Sequence, residues 1–328
     1  MSSETLLVTL EANAEARDVI EETIGAQAKI IYLANLADGA RADALANATA
    51  ILALNTAKEL RPGEAAKIIN AKLLQFVSAG IDFIPLGEFP PTLPIASNGG
   101  GYAEPMAEHA VMITLAALKR LLIEHNKLAA GNFDQFRPNR MLSGATCGIL
   151  GFGGIGKATA NLMRALGTGI HAINRSGQTD ESVDWIGSEA NLDELLTNSD
   201  VLILSLPLTP ASENLIGARE LSMMKNNAVL VNLARGEIIN EAALFTHLKA
   251  NPSFTACLDA WWVEPVRHGR FEMGHDFTGL PNVIASPHNS ASVSGWRNVA
   301  IRRACENVAR VLNGTPPAFL VPLKDRMI

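Results

Sequence analysis

Short apolar runs alternate with alanine-rich, charged segments over the first hundred residues of the chain. The intervening segments, such as Glu11–Glu22 and Ala40–Ala46, have helical patterns. The runs that predict β-strands are Leu6–Leu10, Lys29–Leu33, Ala50–Leu54, Leu74–Ser78 and Leu93–Ala96. Parallel strands covered on both faces have such continuous apolar runs, and helices connect them. The pattern therefore predicts an α/β fold built from βαβ units.

A second series of apolar runs follows the loop-like segment Pro90–Gly101. Its six predicted strands, with helices between them, amount to a complete doubly wound domain: Cys147–Leu150, Ile170–Asn174, Val201–Leu206, Ala228–Leu233, Thr255–Leu258 and Val283–Ala285. Tyr102–Ala130 and Gly295–Leu312 are each predicted as one long helix. We therefore predict two doubly wound parallel-sheet domains. A Rossmann-type nucleotide domain over residues 101–289 is inserted into a smaller, flavodoxin-like substrate domain formed by residues 1–100 and 290–328.

Composition narrows the class of protein. The 328 residues are 48% hydrophobic and carry a net charge of −6 without a run of basic residues, which argues against a nucleic-acid partner. Two of the three cysteines lie in apolar strand-like runs, as core residues do. No apolar stretch approaches the ~18 residues of a membrane helix. The first residues lack the basic segment followed by an apolar segment that is typical of a secretory signal peptide. We expect a cytoplasmic protein with no membrane partner.

A glycine-rich turn follows the first strand of the second series. It has the pattern G-x-G-x-x-G and comprises Gly151, Phe152, Gly153, Gly154, Ile155 and Gly156. The three motif glycines permit a tight turn, a close backbone approach to a pyrophosphate, and close packing of helix on strand. A tight turn without a ligand, or a methyltransferase, can share this pattern. The strand, helix and second strand around it favour a dinucleotide site.

The second strand of this unit ends at Asn174, Arg175 and Ser176. A site for NAD(H) usually has Asp or Glu here to bind the ribose 2′-hydroxyl. Without that carboxylate, Arg175 and the Ser176 hydroxyl can bind a 2′-phosphate. The alternative is that Arg175 is a solvated loop residue. We predict that NADP(H) is favoured, with NAD(H) as the alternative cofactor.

Three polar residues follow three successive predicted strands of the second series: Arg235, Glu264 and His288. Ligands of open α/β sheets bind beyond the carboxyl ends of the strands. Reduction of a 2-keto acid needs a proton donor, which His288 can be, while Glu264 would orient its ring. Arg235 could bind the substrate carboxylate and polarise the keto oxygen. Each residue also has a structural alternative: His288 could be a surface histidine, Glu264 a solvated acid and Arg235 part of an ion pair. The occurrence of all three residues at successive strand ends favours a catalytic role.

In the first domain, Ser78, Ala79 and Gly80 follow an apolar strand. Small residues in a tight turn expose backbone N–H groups that can bind an anion, here the substrate carboxylate. An ordinary strand-to-helix turn is the alternative. No metal is expected at either site.

Taken together, these motifs resemble those of the D-isomer-specific 2-hydroxyacid dehydrogenases, which include glyoxylate and hydroxypyruvate reductases. The resemblance covers almost the whole chain. The matching pieces are SAGID at 78–82, AEHA at 107–110, GILGFGGIG at 148–156, LPLTP at 206–210, VNLARGEIIN at 231–240, Asp259 with Glu264-Pro265, and SPHNS at 286–290. The resemblance implies hydride transfer between a nicotinamide cofactor and a small D-2-hydroxy acid or 2-keto acid.

The resemblance also implies roles for individual residues. Arg235, Glu264 and His288 would be the catalytic trio, and a homodimer would form through the nucleotide domain. The implied binding residues are Asp259 for the nicotinamide carboxamide, Leu206 and Pro207 for the adenine side, Ser78, Ala79, Gly80 and Arg235 for the substrate, and Gly100 near a hinge.

The sequence departs from the family's usual pattern at several positions, so alternative functions remain. The acidic residue at the end of the second strand is missing, and Gly154 stands where the family often has a larger, basic residue. The segment Val266–Gly279 is longer and more charged than usual, which bears on substrate choice. Within enzymes, a dehydrogenase of another small anion such as phosphite is the alternative. A nucleotide-sensing binding protein, like the corepressors that resemble this family, is the alternative of a different class.

Overall fold

The computed structural model describes residues 4–326. Its strands are β1 Thr5–Val8, β2 Lys29–Tyr32, β3 Ala50–Ala53, β4 Leu73–Phe76, β5 Ile95–Ala96, β6 Thr146–Leu150, β7 Gly169–Ile173, β8 Trp185–Gly187, β9 Val201–Leu204, β10 Val229–Asn232, β11 Thr255–Leu258 and β12 Val283–Ala285. Its α-helices are α1 Ala14–Ile24, α2 Asp38–Asn47, α3 Thr56–Glu59, α4 Ala103–Leu118, α5 Leu121–Ala129, α6 Gly154–Ala165, α7 Leu192–Asn198, α8 Ala218–Met223, α9 Glu241–Ala250, α10 Pro265–His268 and α11 Trp296–Leu312. Short 3₁₀ turns are Leu33–Asn35, Ala65–Lys67, Leu86–Glu88, Glu189–Asn191, Gly236–Ile238 and Leu323–Asp325.

The chain divides into two compact units. The first unit runs to Tyr102 and resumes at Val293, and the second unit spans Ala103–Ser292. The ends of the predicted smaller domain, residues 1–3 and 327–328, lie outside the described residues. Among the described residues, every helix is too short or too polar to cross a lipid bilayer.

The first unit contains a five-stranded parallel sheet in the order β2-β1-β3-β4-β5. This is the strand order of flavodoxin-like doubly wound folds. Alternate residues of β1 face opposite layers: Leu6 packs with Ile20 of α1 and Ala304 of α11, whereas Leu7 packs with Leu45 of α2. Covering both faces removes the apolar strands from water, which is the main favourable term in folding.

The second unit contains a seven-stranded parallel sheet in the order β12-β11-β10-β9-β6-β7-β8. Both β7 and β9 pair with β6, so the strand order reverses there, and this switch point is where open α/β sheets bind ligands. Together with the first sheet, this order confirms the predicted fold class of two doubly wound parallel-sheet domains. The short edge strand β8 was not predicted, because its sequence Trp185-Ile186-Gly187 has only two apolar residues within a largely polar segment.

The prediction of one continuous helix over Tyr102–Ala130 is wrong. The helix α4 ends at Leu118, and Arg120 has a left-handed backbone with φ of 55° before α5 begins at Leu121. A helix cannot continue through a left-handed residue. The apolar pattern runs through the break, so the sequence did not indicate it.

Candidate active site

The glycine turn between β6 and α6 has the shape that a dinucleotide needs. Gly151 has φ of +103°, and a Cβ there would lie 2.6 Å from the backbone nitrogen of Leu206, so only glycine fits. A Cβ on Gly156 would lie 2.4 Å from the carbonyl oxygen of Gly151. At Gly153, by contrast, an added Cβ would meet no atom within 4 Å. This open space in front of the N-terminus of α6, which has no side-chain cap, fits the phosphates of a dinucleotide.

The turn is held against β7 by its own backbone. The N–H groups of Gly151 and Phe152 both donate to the carbonyl oxygen of Ile173, at 3.0 and 2.9 Å. The Phe152 side chain is buried, and Gly154 and Ile155 are half-buried. The first turn of α6 therefore starts from a fixed position.

At the end of β7, the Asn174 side chain organises a tight turn. Its Oδ1 accepts the N–H groups of Ser176 and Gly177, at 3.1 and 2.7 Å, and its Nδ2 donates to the carbonyl oxygen of Gln178 at 2.7 Å. Arg175 and Ser176 lie exposed on this turn. The charge of a carboxylate is absent from the segment Asn174–Gln178, as the sequence indicated.

The segment after β9 lies on the other side of the switch point. The hydroxyl of Ser205 donates to the carbonyl oxygen of Gly151 at 2.9 Å, which ties this segment to the glycine turn. Leu206 packs against the apolar core, and Pro207 is exposed. The structure thus brings Gly151, Asn174 and Leu206 to the carboxyl ends of three neighbouring strands.

His288 and Glu264 form a hydrogen-bonded pair. The Nδ1 atom of His288 lies 2.8 and 2.7 Å from the two carboxylate oxygens of Glu264. The backbone N–H of Trp261 donates to Oε1 of the same carboxylate at 2.7 Å. Glu264 is buried, whereas 34% of the His288 side chain is exposed. An ionised carboxylate only accepts hydrogen bonds, so Nδ1 of His288 carries a proton and Nε2 is the nitrogen left for a substrate.

The surroundings of Glu264 keep it ionised. Burial by itself raises the pKa of a carboxyl group, but the hydrogen bond and charge of His288, the Trp261 N–H and the charge of Arg235 outweigh it and lower the pKa of Glu264. The carboxylate is therefore charged at neutral pH and can hold the imidazole ring in one orientation.

Arg235 is brought to this pair by a close contact between two loops. A Cβ on Gly236 would lie 2.3 Å from the carbonyl carbon of Trp261, so the loop after β10 touches the loop after β11 backbone to backbone. The Asn232 side chain shapes the first of these loops, since its Nδ2 donates to the carbonyl oxygen of Arg235 at 2.7 Å. The structure thus brings Arg235, Glu264 and His288 together at one edge of the sheet.

Asp259 follows β11, and its buried carboxylate contacts the loop after β12 that carries His288. Its oxygens accept the Ser286 hydroxyl at 2.6 Å and the N–H groups of Asn289 and Ser290 at 3.1 and 3.2 Å. Burial raises the pKa of Asp259, but these hydrogen bonds and the charges of nearby histidines outweigh it, and the pKa is lowered. Asp259 thus remains charged and anchors the loop.

His109 is a site residue that was not predicted. It lies within the helix predicted over Tyr102–Ala130, yet its Nε2 atom lies 3.1 Å from Oγ of Ser286 and 3.8 Å from Oδ1 of Asp259. The signal in the sequence was a histidine on the apolar helix α4, within the AEHA segment. Ser286 was also not singled out.

The loop Val266–Gly279 is tied to the second unit at several points. Glu264 donates its backbone N–H to Nδ1 of His268 at 3.0 Å, and Arg267 forms an ion pair with Glu237. The ring of His275 stacks on Phe245 with ring centroids 4.7 Å apart.

The predicted substrate residues of the first unit lie in two adjacent turns. Ser78 accepts the N–H of Asn98 at 2.9 Å through its carbonyl oxygen. Gly100 donates its N–H to the carbonyl oxygen of Asn98 at 2.7 Å and accepts a hydrogen bond from Arg303 at 2.7 Å. Ser78, Ala79, Gly80 and Gly100 are half-buried.

Comparison with known proteins relates this geometry to a family. The model of the "D-isomer specific 2-hydroxyacid dehydrogenase, NAD binding domain" matches residues 111–290, more than half of the chain. The chain is 32% identical to a glyoxylate reductase of Aeropyrum pernix over 69% of this chain and 69% of that protein. It is 32% identical to a glycerate dehydrogenase of Methylorubrum extorquens over 64% of this chain and 65% of that protein. The matched region thus spans about two thirds of the length of these relatives.

A solved structure extends the likeness to the whole fold. A D-isomer specific 2-hydroxyacid dehydrogenase from Xanthobacter autotrophicus Py2, solved with NADPH and MES, covers 98% of this chain and 99% of its own, with a TM-score of 0.79 and 20% identity. That likeness concerns the fold alone. The family match and the 32% identical relatives carry the assignment: this chain belongs to the D-isomer specific 2-hydroxyacid dehydrogenase family.

Proposed function

We propose that this protein is an NAD(P)-dependent oxidoreductase that reduces a small 2-keto acid of the glyoxylate or hydroxypyruvate type to the D-2-hydroxy acid, and catalyses the reverse reaction. The observation that carries the proposal is the His288–Glu264 pair beside Arg235, at the ligand-binding edge of a sheet whose glycine turn fits a dinucleotide. The relatives named glyoxylate reductase and glycerate dehydrogenase support this substrate class.

The proposed mechanism assigns one task to each side chain. The residues Gly151–Gly156 would hold a nicotinamide cofactor, which supplies the hydride that reaches the keto carbon. His288 gives the proton on Nε2 to the keto oxygen, while Glu264 holds the ring through Nδ1. The planar guanidinium of Arg235 binds the substrate carboxylate with two parallel hydrogen bonds and stabilises the charge that develops on the keto oxygen.

The remaining predicted residues have binding tasks in this proposal. Asp259 contacts the nicotinamide carboxamide, and Leu206 and Pro207 line the adenine side. The backbone N–H groups of Ser78, Ala79 and Gly80 bind the substrate carboxylate, because small residues in a turn leave these donors accessible.

Two variants test the mechanism. His288→Ala should lower kcat by about 10²–10⁴-fold, the usual contribution of proton transfer, with cofactor affinity nearly unchanged. Arg235→Ala should raise KM for the keto acid and also lower kcat. Rates are measured from nicotinamide absorbance with glyoxylate, hydroxypyruvate, pyruvate and bulkier keto acids. A wild-type protein that binds cofactor but turns over none of them would refute the proposed function.

We further propose that NADPH is preferred to NADH. Supporting this are the exposed Arg175 and Ser176 and the lack of a carboxylate in their turn. Asn174→Asp tests it, because an aspartate oxygen can still accept the N–H groups of Ser176 and Gly177, although the bond from Nδ2 to the carbonyl oxygen of Gln178 is lost. The variant should move the ratio of kcat/KM for NADPH over NADH toward NADH, since the new charge repels a 2′-phosphate. A wild-type enzyme with higher kcat/KM for NADH would contradict the proposal.

We also propose a homodimer in which a second copy covers an apolar surface of the second unit. The helix α5 buries none of its residues. The exposed large apolar residues there and just beyond are Leu121, Leu122, Leu128, Phe133, Phe136 and Met141. A patch of this kind is unusual on a monomer. Phe136→Glu should weaken the dimer in light scattering, whereas Leu323→Glu, at an exposed leucine of the first unit, should not. A monomeric wild-type protein would refute this.

A further inference from the structure

His109 lies beside the apolar, buried face of α4. The residues on the buried face of this helix near it, Ala107, Ala110 and Ile113, are buried and apolar, and only 13% of the His109 side chain is exposed. A leucine would fill such a space without a polar group to satisfy. The Nε2 atom of the imidazole lies within hydrogen-bond distance of the Ser286 hydroxyl, at 3.1 Å, and 3.8 Å from Oδ1 of Asp259.

The direction of the hydrogen bonds follows from the number of protons. The Ser286 hydroxyl has one proton, and it donates that proton to the Asp259 carboxylate at 2.6 Å, because an ionised carboxylate can only accept. The serine oxygen is then an acceptor toward His109, so Nε2 of His109 carries the proton between them. The chain of donors runs from His109 through Ser286 to Asp259.

Asp259 in turn holds the backbone on which His288 sits. Its carbonyl oxygen accepts the N–H of His288 at 2.8 Å, and its carboxylate accepts the N–H groups of Asn289 and Ser290. His288 has φ of 49°, in the left-handed region, which is unfavourable for a residue with a side chain. These hydrogen bonds keep the loop in that conformation, and the direction of the His288 ring depends on it.

We propose that His109 is a positioning residue: through Ser286 and Asp259 it fixes the loop that presents the His288 ring. The proposal rests on the proposed function in that His288 is taken as the proton donor. We do not expect His109 itself to touch the keto acid or the cofactor.

The test separates hydrogen bonding from space filling. His109→Ala should lower kcat by about tenfold, as expected for the loss of one hydrogen bond to a charged network. KM for the keto acid should change by less than about twofold, since Arg235 is intact. His109→Gln should restore most of kcat, because the glutamine amide can donate from nearly the position of Nε2. Ser286→Ala should resemble His109→Ala, and the double variant should be no slower than either, because both changes cut the same chain.

A matched control is His247→Ala. His247 is a half-buried histidine of α9 whose ring contacts Asn251 and Phe254 and no residue of the candidate site. Its replacement should lower Tm without lowering kcat per folded molecule. If His109→Gln stays as slow as His109→Ala, or if the double variant shows the product of the two single losses, the positioning role is overturned.

A second readout does not need turnover. In protein with ¹³C-labelled histidine, the ring signals of the seven histidines are resolved by NMR, and His288→Ala assigns that of His288. The His288 signal should shift in His109→Ala and return in His109→Gln. An unmoved signal overturns the positioning role. A moved signal in a protein that reduces no keto acid supports the positioning role and refutes the proposed function, so the two failures are distinguishable.

Discussion

Gly236 is the residue at which a single methyl group should separate the catalytic side chains. A Cβ there would lie 2.3, 2.4 and 2.6 Å from the carbonyl carbon of Trp261, the nitrogen of Trp262 and the carbonyl oxygen of Trp261. All three are backbone atoms, so no side chain can swing away. Ordinary contact between such atoms is about 3.5 Å. The loop that carries Arg235 must therefore move by about 1 Å from the loop that carries Glu264.

Two magnitudes follow for Gly236→Ala. Forcing a methyl group into a packed site costs about 1–3 kcal/mol, and 2 kcal/mol corresponds to a fall in Tm of roughly 4–8 °C for a unit of this size. A displacement of 1 Å between catalytic groups lowers the rate by about 100-fold. Calorimetry measures the unfolding of the second unit, and steady-state kinetics measures kcat/KM.

Gly39→Ala is the matched control, because a Cβ at this residue of α2 would meet nothing within 4 Å. Alanine is a better helix former than glycine by up to about 1 kcal/mol, so this variant should be slightly stabilised and fully active. If Gly236→Ala keeps the Tm and kcat/KM of the wild type, the close contact of the two loops does not exist as described.

Three further predictions concern charge and backbone strain. Glu264→Gln keeps a hydrogen-bond acceptor for His288 but loses the negative charge. Its kcat should fall by about 100-fold while its affinity for the cofactor is unchanged. A kcat within twofold of the wild-type value would contradict the role of Glu264. In the first unit, the buried ion pair with Arg41 lowers the pKa of Glu64 to about 2, so its stabilisation is complete above about pH 4.5 and is lost as the pH falls toward 2. Acid unfolding monitored by circular dichroism should show this loss. Glu64→Gln should be destabilised at neutral pH by about 3 kcal/mol, and its free energy of unfolding should change less as the pH falls below about 4.5. Arg120→Gly should raise Tm, because glycine removes the cost of the left-handed backbone, about 1 kcal/mol; a lowered Tm would mean that the arginine side chain contributes more.

The alternation of apolar runs was sufficient to predict the fold class. Eleven of the twelve strands in the described residues coincide with predicted ones within a few positions, because strands buried in parallel sheets are apolar on both faces. The missed strand β8 is an edge strand of three residues. The break between α4 and α5 escaped notice because a left-handed residue such as Arg120 leaves no mark in the apolar pattern.

Some residues of the candidate site could likewise be predicted from the sequence, and others could not. Arg235, Glu264 and His288 could be selected from the sequence because each directly follows a strand, and the carboxyl ends of parallel strands share one edge of the sheet. Their tasks in catalysis stay predictions. His109 could not be selected, because its position in a helix says nothing about the loop that its ring meets.

Local pattern thus sufficed for eleven of the twelve strands in the described residues, for the glycine turn and for the residues at strand ends. Folding alone decided the contacts between distant segments, such as His109 with Ser286, which are 177 positions apart, and the close approach of Gly236 to Trp261. The physical reason is that hydrogen bonds and steric contacts act over a few ångströms. Which side chains come within that range depends on how helices and loops pack on the sheet, and the order of residues in one segment does not contain that information.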